Sequence, residues 1–432
     1  MLIEFSVGNF RSIKDIQTLS MIAAPITSKN KELDEQNTFQ ATEKIKLLKT
    51  KAIYGANASG KTNIIKALIA FRDIIINSFK NEKSVFENSD VFLLGEDKDS
   101  EKPIFMQIIF ILDGITYRYG YEYMTQGVLS EWLYGKPNQQ EVYYFIRDKE
   151  DIKFNHNKIK NISKLLNLSP NLLQSTSLIL SMSHIFDSLL LKSINQYIYR
   201  LFIIDNLINK SIQLVAPLLS YKESLNKISS MLKMADTAIE KIETFELKSD
   251  NENSWLEKSN IKQYEGDGFD ILNDIIEEKR KFVIMAYHKN LYKENRIQPF
   301  NFEFQESEGT KKLLELSPYI YSSIEEGELL VLDEFDARFH PLISKKIVEL
   351  FNKNTNHAQF ICATHDTNLL DAKLLRRDQI AFVEKDKFGA SHLYDLVEFK
   401  GVRNDASFEK DYLEGRYGAI PFLGDFDSIF AK

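Results

Sequence analysis

The stretch Gly55-Ala56-Asn57-Ala58-Ser59-Gly60-Lys61-Thr62 narrows what this 432-residue chain can fold into more than any other feature. It fits the pattern G-x-x-x-x-G-K-[ST], and its surroundings fit as well: an apolar strand from Lys51 to Tyr54 precedes it and a helical pattern from Asn63 to Phe71 follows it. Gly55 and Gly60 let the backbone wrap with its N–H groups turned inward, and the positive end of the following helix faces the same point. Such a loop is suited to a nucleotide phosphate. Lys61 is expected on the β and γ phosphates of ATP and Thr62 on Mg2+, with Asn57, Ala58 and Ser59 completing the cradle.

A second motif lies far downstream. Leu329-Leu330-Val331-Leu332-Asp333-Glu334 is an apolar strand that ends in two carboxylates. A buried parallel strand ends at the carboxyl edge of its sheet, where ligands bind. Asp333 is expected to hold Mg2+, often through water, and Glu334 to polarise a water for attack on the γ phosphate. Lys61 and Asp333 are 272 positions apart. A compact phosphate-loop domain reaches its acidic strand much sooner, so other structure is expected to be inserted between two halves of one nucleotide-binding sheet.

The intervening chain supplies it. The segment around Thr27 to Thr42 is polar and reads as loop. Phe105 to Leu112, an Asp113-Gly114 turn and the alternating Tyr117, Tyr119, Tyr121 and Tyr123 read as a β-hairpin. Val142 to Arg147 and Ile152 to Phe154 read as a second one. Between Asn161 and Lys248 the apolar residues Leu214, Leu218, Leu219, Leu225, Ile228, Leu232, Ile239 and Ile242 fall at helical spacing, which predicts a helical insertion. Ser249 to Gly268 is a polar run. Strands are then expected at Lys281 to Tyr287 and Phe302 to Phe304. After them come helix Thr310 to Ile324, strand Leu329 to Leu332, helix Pro341 to Asn352, and strands Gln359 to Thr364 and Gln379 to Glu384. This alternation predicts an α/β fold with a mixed, mainly parallel sheet.

The split phosphate-loop sheet, with Asn9-Phe10-Arg11-Ser12 beside its first strand, resembles the ABC-type ATPases of the RecF, SMC and OLD group. The resemblance covers residues 1 to 150 and 281 to 400 as two halves of an ATPase head. Residues 151–280 are then the insertion and 401–432 a tail. Ser307-Glu308-Gly309-Thr310 opens a helix where that group keeps its signature motif, and a Ser and a Gly at a helix N-terminus suit an anion. Asp336-Ala337-Arg338-Phe339-His340-Pro341 resembles the D-loop, and His365, after the strand that follows the acidic motif, resembles the switch histidine that senses the γ phosphate. The resemblance implies nucleotide contacts from Arg11, Ser307, Gly309 and Asp336, a catalytic role for His365 beside Glu334, and ATP sandwiched between two heads. Glu308 stands where transporter-type members favour Gly. Gln107 and Gln126 are the candidates for the Q-loop glutamine.

Within the group, the absence of long heptad-repeat arms sets the chain apart from SMC proteins. Ser-Glu-Gly-Thr, Leu-Asp-Glu-Phe-Asp and the terminal Tyr412-Leu413-Glu414-Gly415-Arg416-Tyr417-Gly418-Ala419-Ile420-Pro421 resemble the AAA-15 or RloA-like ATPases of bacterial anti-phage loci, relatives of the PARIS, Septu and OLD systems. That resemblance implies a cytoplasmic sensor or scaffold that controls a separate effector, such as a Toprim-type nuclease, with a phage protein as a conceivable trigger. The alternative is a RecF-like DNA-repair ATPase that binds DNA directly. Glu384 with Asp425-Phe426-Asp427 imitates a Toprim metal set, yet the few residues before Lys432 leave no room for that domain, and no intrinsic nuclease is expected.

Composition narrows the partners. With 55 Lys+Arg against 62 Asp+Glu the formal charge is −7, so no global field favours nucleic acid, although a local basic groove remains open. The single cysteine, Cys362, excludes an intrachain disulfide framework and reads as an inert buried thiol. No export signal is visible at the start. The most lipid-like window, Leu172 to Leu191, carries too many polar groups to span a bilayer and reads as a buried or partner-facing helix.

Overall fold

Thr50–Tyr54, Leu329–Leu332 and Gln359–Ala363 are buried at every position, as are the first four residues of Ile380–Lys385. A strand shut off from water on both faces must be covered on each side, which is the condition of a parallel sheet. The computed structural model, which describes residues 1–79, 86, 90–95, 101–138, 140–159, 173–186, 188–205, 219, 222–235, 237–247, 281–290, 297–402, 407–421 and 424, has that sheet. It divides into two units, Met1–Asp205 with Gly327–Phe335 and Lys345–Lys432, and Asn206–Glu326 with Asp336–Ser344.

The first unit begins with β1 (Leu2–Gly8), β2 (Gln17–Ser20), α1 (Lys31–Gln36), β3 (Thr38–Gln40), β4 (Lys46–Leu48), β5 (Thr50–Tyr54) and α2 (Lys61–Asn77). It continues through β6 (Ile104–Leu112), β7 (Ile115–Met124), β8 (Gly127–Lys136), β9 (Val142–Asp148), β10 (Asp151–Phe154), α3 (Leu189–Tyr199) and β11 (Phe202–Ile204). The second unit holds α4 (Lys222–Met234), β12 (Ile239–Leu247), β13 (Lys281–Lys289), β14 (Ile297–Asn301), α5 (Phe302–Gln305) and α6 (Glu308–Glu326). The chain then supplies β15 (Leu329–Leu332), α7 (Pro341–Lys353), β16 (Gln359–Ala363), β17 (Ile380–Lys385), β18 (Ser391–Asp395) and α8 (Phe408–Leu413).

The nucleotide-type sheet runs β11-β15-β16-β5-β17-β18, parallel throughout except for the antiparallel edge strand β18. A second sheet, antiparallel, runs β10-β9-β8-β7-β6-β1-β2. The phosphate-loop helix α2 packs against it: the Phe71 ring meets Phe5 edge-on at 5.6 Å and stacks on Tyr121 at 5.4 Å, and the Tyr121 hydroxyl donates to the Phe71 carbonyl at 3.1 Å. The alternating tyrosines of β7 thus grip the helix that carries Lys61. Gln359, at the start of β16, joins the two sheets. Its Oε1 accepts the Leu2 N–H at 2.6 Å while its Nε2 donates to the Leu2 and Leu48 carbonyls at 3.0 and 3.3 Å. At the amino edge of the parallel strands, Thr50 Oγ1 donates to Asn352 at 2.7 Å and Gln379 Nε2 to the Thr50 carbonyl at 3.1 Å. Cys362 is buried in β16.

Several local expectations need correction. The polar segment expected as loop holds α1, capped by the Asn30 side chain, and β3, because Leu33 and Phe39 find core partners. The Leu172–Leu191 window is not one helix among its described residues. Glu131 of β8 accepts the Ile179 and Leu180 N–H groups at 2.7 and 3.1 Å, so the backbone there is satisfied by a buried carboxylate; a short 3-10 turn follows at Leu180–Met182, and α3 starts only at Leu189. Ile239 and Ile242 lie in β12, which pairs antiparallel with β13, because long-range pairing outweighs their helical spacing. Ile228 and Leu232 are buried on the helix α4, as their periodicity predicts. Phe302–Phe304 is a helical turn started by an Asn301 cap, the strand being β14 just before it. β11, within the stretch read as helical, belongs to the nucleotide-type sheet, beside β15. Leu214, Leu218, the run 249–268 and Asp425-Phe426-Asp427 lie outside the described residues. No described helix is long and apolar enough to cross a membrane.

Candidate nucleotide site

Strands β15, β16 and β5 are parallel neighbours in the first unit, with Leu332 opposite Cys362 and Ala363 opposite Ile53. Their carboxyl ends therefore open side by side. β15 delivers Asp333-Glu334, β16 delivers Thr364-His365-Asp366, and β5 delivers the glycine loop. The sheet brings together, at one edge, motifs that the chain keeps 272 positions apart.

The loop is shaped for an anion. Gly60 is the N-cap of α2 at φ 113°, and a Cβ there would run into Ser391 and within 2.9 Å of Ser12 Oγ. A Cβ on Gly55 would meet the Val383 carbonyl and Ser59 Oγ. Ala58 also takes a left-handed conformation, φ 62°. Asn57 and Ala58 are exposed at the loop tip, whereas Ser59 and Lys61 are buried. Lys61 Nζ donates to the Gly55 and Ala56 carbonyls at 2.8 and 3.2 Å, which holds its charge inside the loop. Ser59 Oγ is buried without a hydrogen-bond partner, a donor left over at the place where a phosphate oxygen would sit.

Thr62, on the first turn of α2, stands close enough to Asp333 for its hydroxyl to favour the charged carboxylate. Burial raises the Asp333 carboxyl above the ordinary carboxylate range, and the nearby Glu334 charge adds to this. The Thr62 hydroxyl, the Glu334 N–H and the Lys61 charge pull it back only in part. A hydroxyl and a carboxylate near each other beside a phosphate loop are the donors that Mg2+ takes together with phosphate oxygens and water. No cluster of three or more His, Cys, Asp or Glu that could hold a metal exists among the described residues. Glu334 is exposed just beyond, with φ 47°, and its N–H donates to Asp333 Oδ1 at 3.1 Å. That left-handed backbone turns its carboxylate away from the strand line.

His365 is exposed on the neighbouring loop, anchored on one side by the Thr364 N–H to the Ile53 carbonyl at 3.1 Å. Arg11 goes elsewhere: its guanidinium pairs with Asp90 at 2.6 Å. Its neighbour Ser12 instead touches the loop. Ser12 Oγ accepts from Asn63 Nδ2 at 2.7 Å and lies 2.8 Å from Ser391 Oγ, which donates to the Ser59 carbonyl at 2.6 Å. Ser391, from the edge strand β18, braces the glycine loop from behind. A lone serine 330 positions downstream carries no motif, and only the fold brings it here.

In the second unit, Ser307 caps α6: its Oγ accepts the Thr310 N–H at 3.1 Å. Gly309 is hemmed in, since a Cβ would lie 2.8 Å from the Arg338 carbonyl. Glu308 pairs with Lys311 at 3.0 Å and with Arg338, and Lys312 Nζ donates to the Ala337 carbonyl at 2.6 Å. The start of α6 and the segment from Asp336 to Phe339 are thus one hydrogen-bonded piece, with Asp336 half-buried within it. His340 Nδ1 accepts the Leu342 N–H at 3.2 Å and starts α7 ahead of Pro341. Of the two glutamine candidates, Gln107 accepts the Trp132 indole N–H at 3.2 Å within the antiparallel sheet, and Gln126 lies in the β7–β8 turn.

A protein-family model described as "AAA domain, putative AbiEii toxin, Type IV TA system" matches residues 52–371. Among solved structures, the SMC head domain from Thermotoga maritima is 14% identical over 91% of this chain and 98% of that one, with a TM-score of 0.41. The SMC head bound to the C-winged helix domain of ScpA is 14% identical over 91% and 97%, at 0.43. The Smc head with an extended coiled coil bound to the C-terminal domain of ScpA, derived from Pyrococcus furiosus, is 14% identical over 91% and 96%, at 0.38. No curated protein matches.

Proposed function

The chain belongs to the AAA-domain family of P-loop ATPases whose model spans residues 52–371, and from that premise we propose an ATP-driven switch in a bacterial defence system that governs a separate effector. The observation that carries the reading is the juxtaposition of Thr62, Asp333 and Lys61, near enough for the hydroxyl and the ammonium to act on the carboxyl. It joins the two motifs in the arrangement that nucleotide and cation need.

Lys61 and the loop N–H groups would hold the β and γ phosphates, and Thr62 with Asp333 would hold Mg2+. Bound there, the cation would neutralise phosphate charge. Glu334 would accept the proton of the attacking water, giving ADP and phosphate, with His365 next to the γ phosphate. Ser307, Gly309 and Asp336 of one chain would close on the nucleotide held by another, so that ATP draws two heads together and hydrolysis parts them. Arg11, paired with Asp90, would reach the nucleotide only by exchanging that partner.

The defence setting is supported by the family description, which names AbiEii and a type IV toxin–antitoxin system. The net charge of −7 favours a protein partner over DNA coating, and we assign the chain to the cytoplasm. Purification of the tagged chain from its native host tests this. Stoichiometric retention of a neighbouring gene product, released by ATP, is expected. Partner-free, tight and steeply salt-dependent binding to duplex DNA would favour the repair alternative instead.

A further inference from the structure

The C-terminal segment 407–421 has no part in the machinery described so far, yet it touches the site. Helix α8 is started by the Ser407 cap, and Phe408 and Tyr412 are buried. On its first turn, Glu409 Oε1 accepts the Thr367 hydroxyl at 2.8 Å. Thr367 stands two residues beyond His365 and opens the short turn Thr367–Leu369. On the other side of that loop, the Tyr54 hydroxyl donates to the Asp366 carbonyl at 3.1 Å, and the Tyr54 ring meets the Tyr412 ring at 5.8 Å. Tyr54 is the last residue before the glycine loop. One tyrosine therefore links the glycine loop, the histidine loop and α8.

The segment is braced so that it can hold. Tyr412 donates to the Ala419 carbonyl at 3.1 Å, Tyr417 to Asp411 at 3.0 Å, and Tyr394 of β18 to the Tyr417 carbonyl at 2.8 Å. Gly415 and Gly418 take left-handed turns, φ 77° and 67°, that fold the chain back on α8. The histidine loop is less complete in itself. Asp366 Oδ1 accepts from Asn368 at 3.0 Å, while its Oδ2 is buried without a hydrogen-bond partner.

We propose that segment 407–421 is a clasp that sets the His365 loop relative to the glycine loop, with Glu409, Thr367 and Tyr54 as positioning residues for hydrolysis. The proposal rests on the ATPase reading of the site. Glu409 acts through Thr367 and touches no substrate. Its loss acts on the position of the γ-phosphate sensor and leaves the phosphate cradle intact, so turnover falls while nucleotide binding stays.

The test uses the full chain with Thr367→Val, Glu409→Ala and Glu409→Gln. Three readouts are needed: steady-state ATP hydrolysis, ATP affinity from a fluorescent-nucleotide titration, and thermal unfolding. Thr367→Val and Glu409→Ala are expected to lower kcat about tenfold with unchanged affinity, since small displacements at a reacting centre act on rate. Glu409→Gln, whose amide oxygen still accepts from Thr367, is expected to keep most of the activity. Wild-type kcat in both Thr367→Val and Glu409→Ala overturns the clasp, as does a loss that Glu409→Gln shares in full or one that tracks unfolding. A wild-type chain that binds but does not hydrolyse ATP removes the ATPase reading itself, and the clasp with it.

Discussion

At the scale of single residues, the site is a set of groups held in conformations that cost energy. Ala58 in the loop and Glu334 at the strand end take left-handed backbone angles, and Asp333 is a buried carboxylate. The clearest consequence concerns Asp333. Its folded pKa lies above its ordinary value, chiefly through burial, so its charged form is penalised in the native state. Its contribution to stability is complete below the ordinary carboxylate pKa and is lost as pH rises through the raised one. Without Mg2+, Asp333→Asn is therefore expected to unfold at a higher temperature than wild type, the gap widening as pH rises above the ordinary carboxylate range. With Mg2+ and ATP the order reverses, and hydrolysis falls about 100-fold. A lower melting temperature for the variant at every pH would contradict this. The placement of Lys61, Thr62, Asp333 and His365 beside the ends of neighbouring strands was legible in the sequence, because the glycine pattern and the apolar runs mark where those strands stop. Ser391, Tyr54 and Glu409 were not, since a hydroxyl or carboxylate used for bracing has no spacing rule.

At the scale of elements, the parallel strands could be read because burial on both faces leaves uninterrupted apolar runs. The hairpin β6–β7 could be read from its alternation and its Asp-Gly turn. What escaped were elements defined by distant partners. β12 has apolar residues compatible with either period and becomes a strand by pairing with β13. The 178–182 segment looks helical by composition but hangs from Glu131. That carboxylate is fully buried, accepts the Tyr119 hydroxyl at 2.9 Å and two backbone N–H groups, and is pushed up by burial against the pull of Arg147. Removing it would orphan three donors and leave Arg147 uncompensated. Glu131→Ala is expected to cost on the order of 3–5 kcal/mol in urea unfolding, and Tyr119→Phe about 1 kcal/mol. A loss below about 1 kcal/mol for Glu131→Ala would mean that the segment is held by apolar packing alone.

At the scale of the whole molecule, each of the two units is assembled from pieces of sequence that are far apart. The first unit gathers β5, β15 and β16 into neighbouring strands, and Gln359 ties the N-terminal strand to the C-terminal half. The second unit holds the start of α6 and the Asp336 segment as one hydrogen-bonded piece. A sequence reader can infer the splitting from the distance between Lys61 and Asp333, but not that β11, deep in the apparent insertion, returns to the nucleotide-type sheet. The central claim is that Glu334 drives ATP hydrolysis at this edge. Comparing wild type with Glu334→Gln for turnover, ATP affinity and ATP-dependent dimerisation tests it most directly. Unchanged affinity, turnover lowered at least about 100-fold and a persistent ATP-bound dimer are expected, whereas wild-type turnover in Glu334→Gln would remove Glu334 from this role.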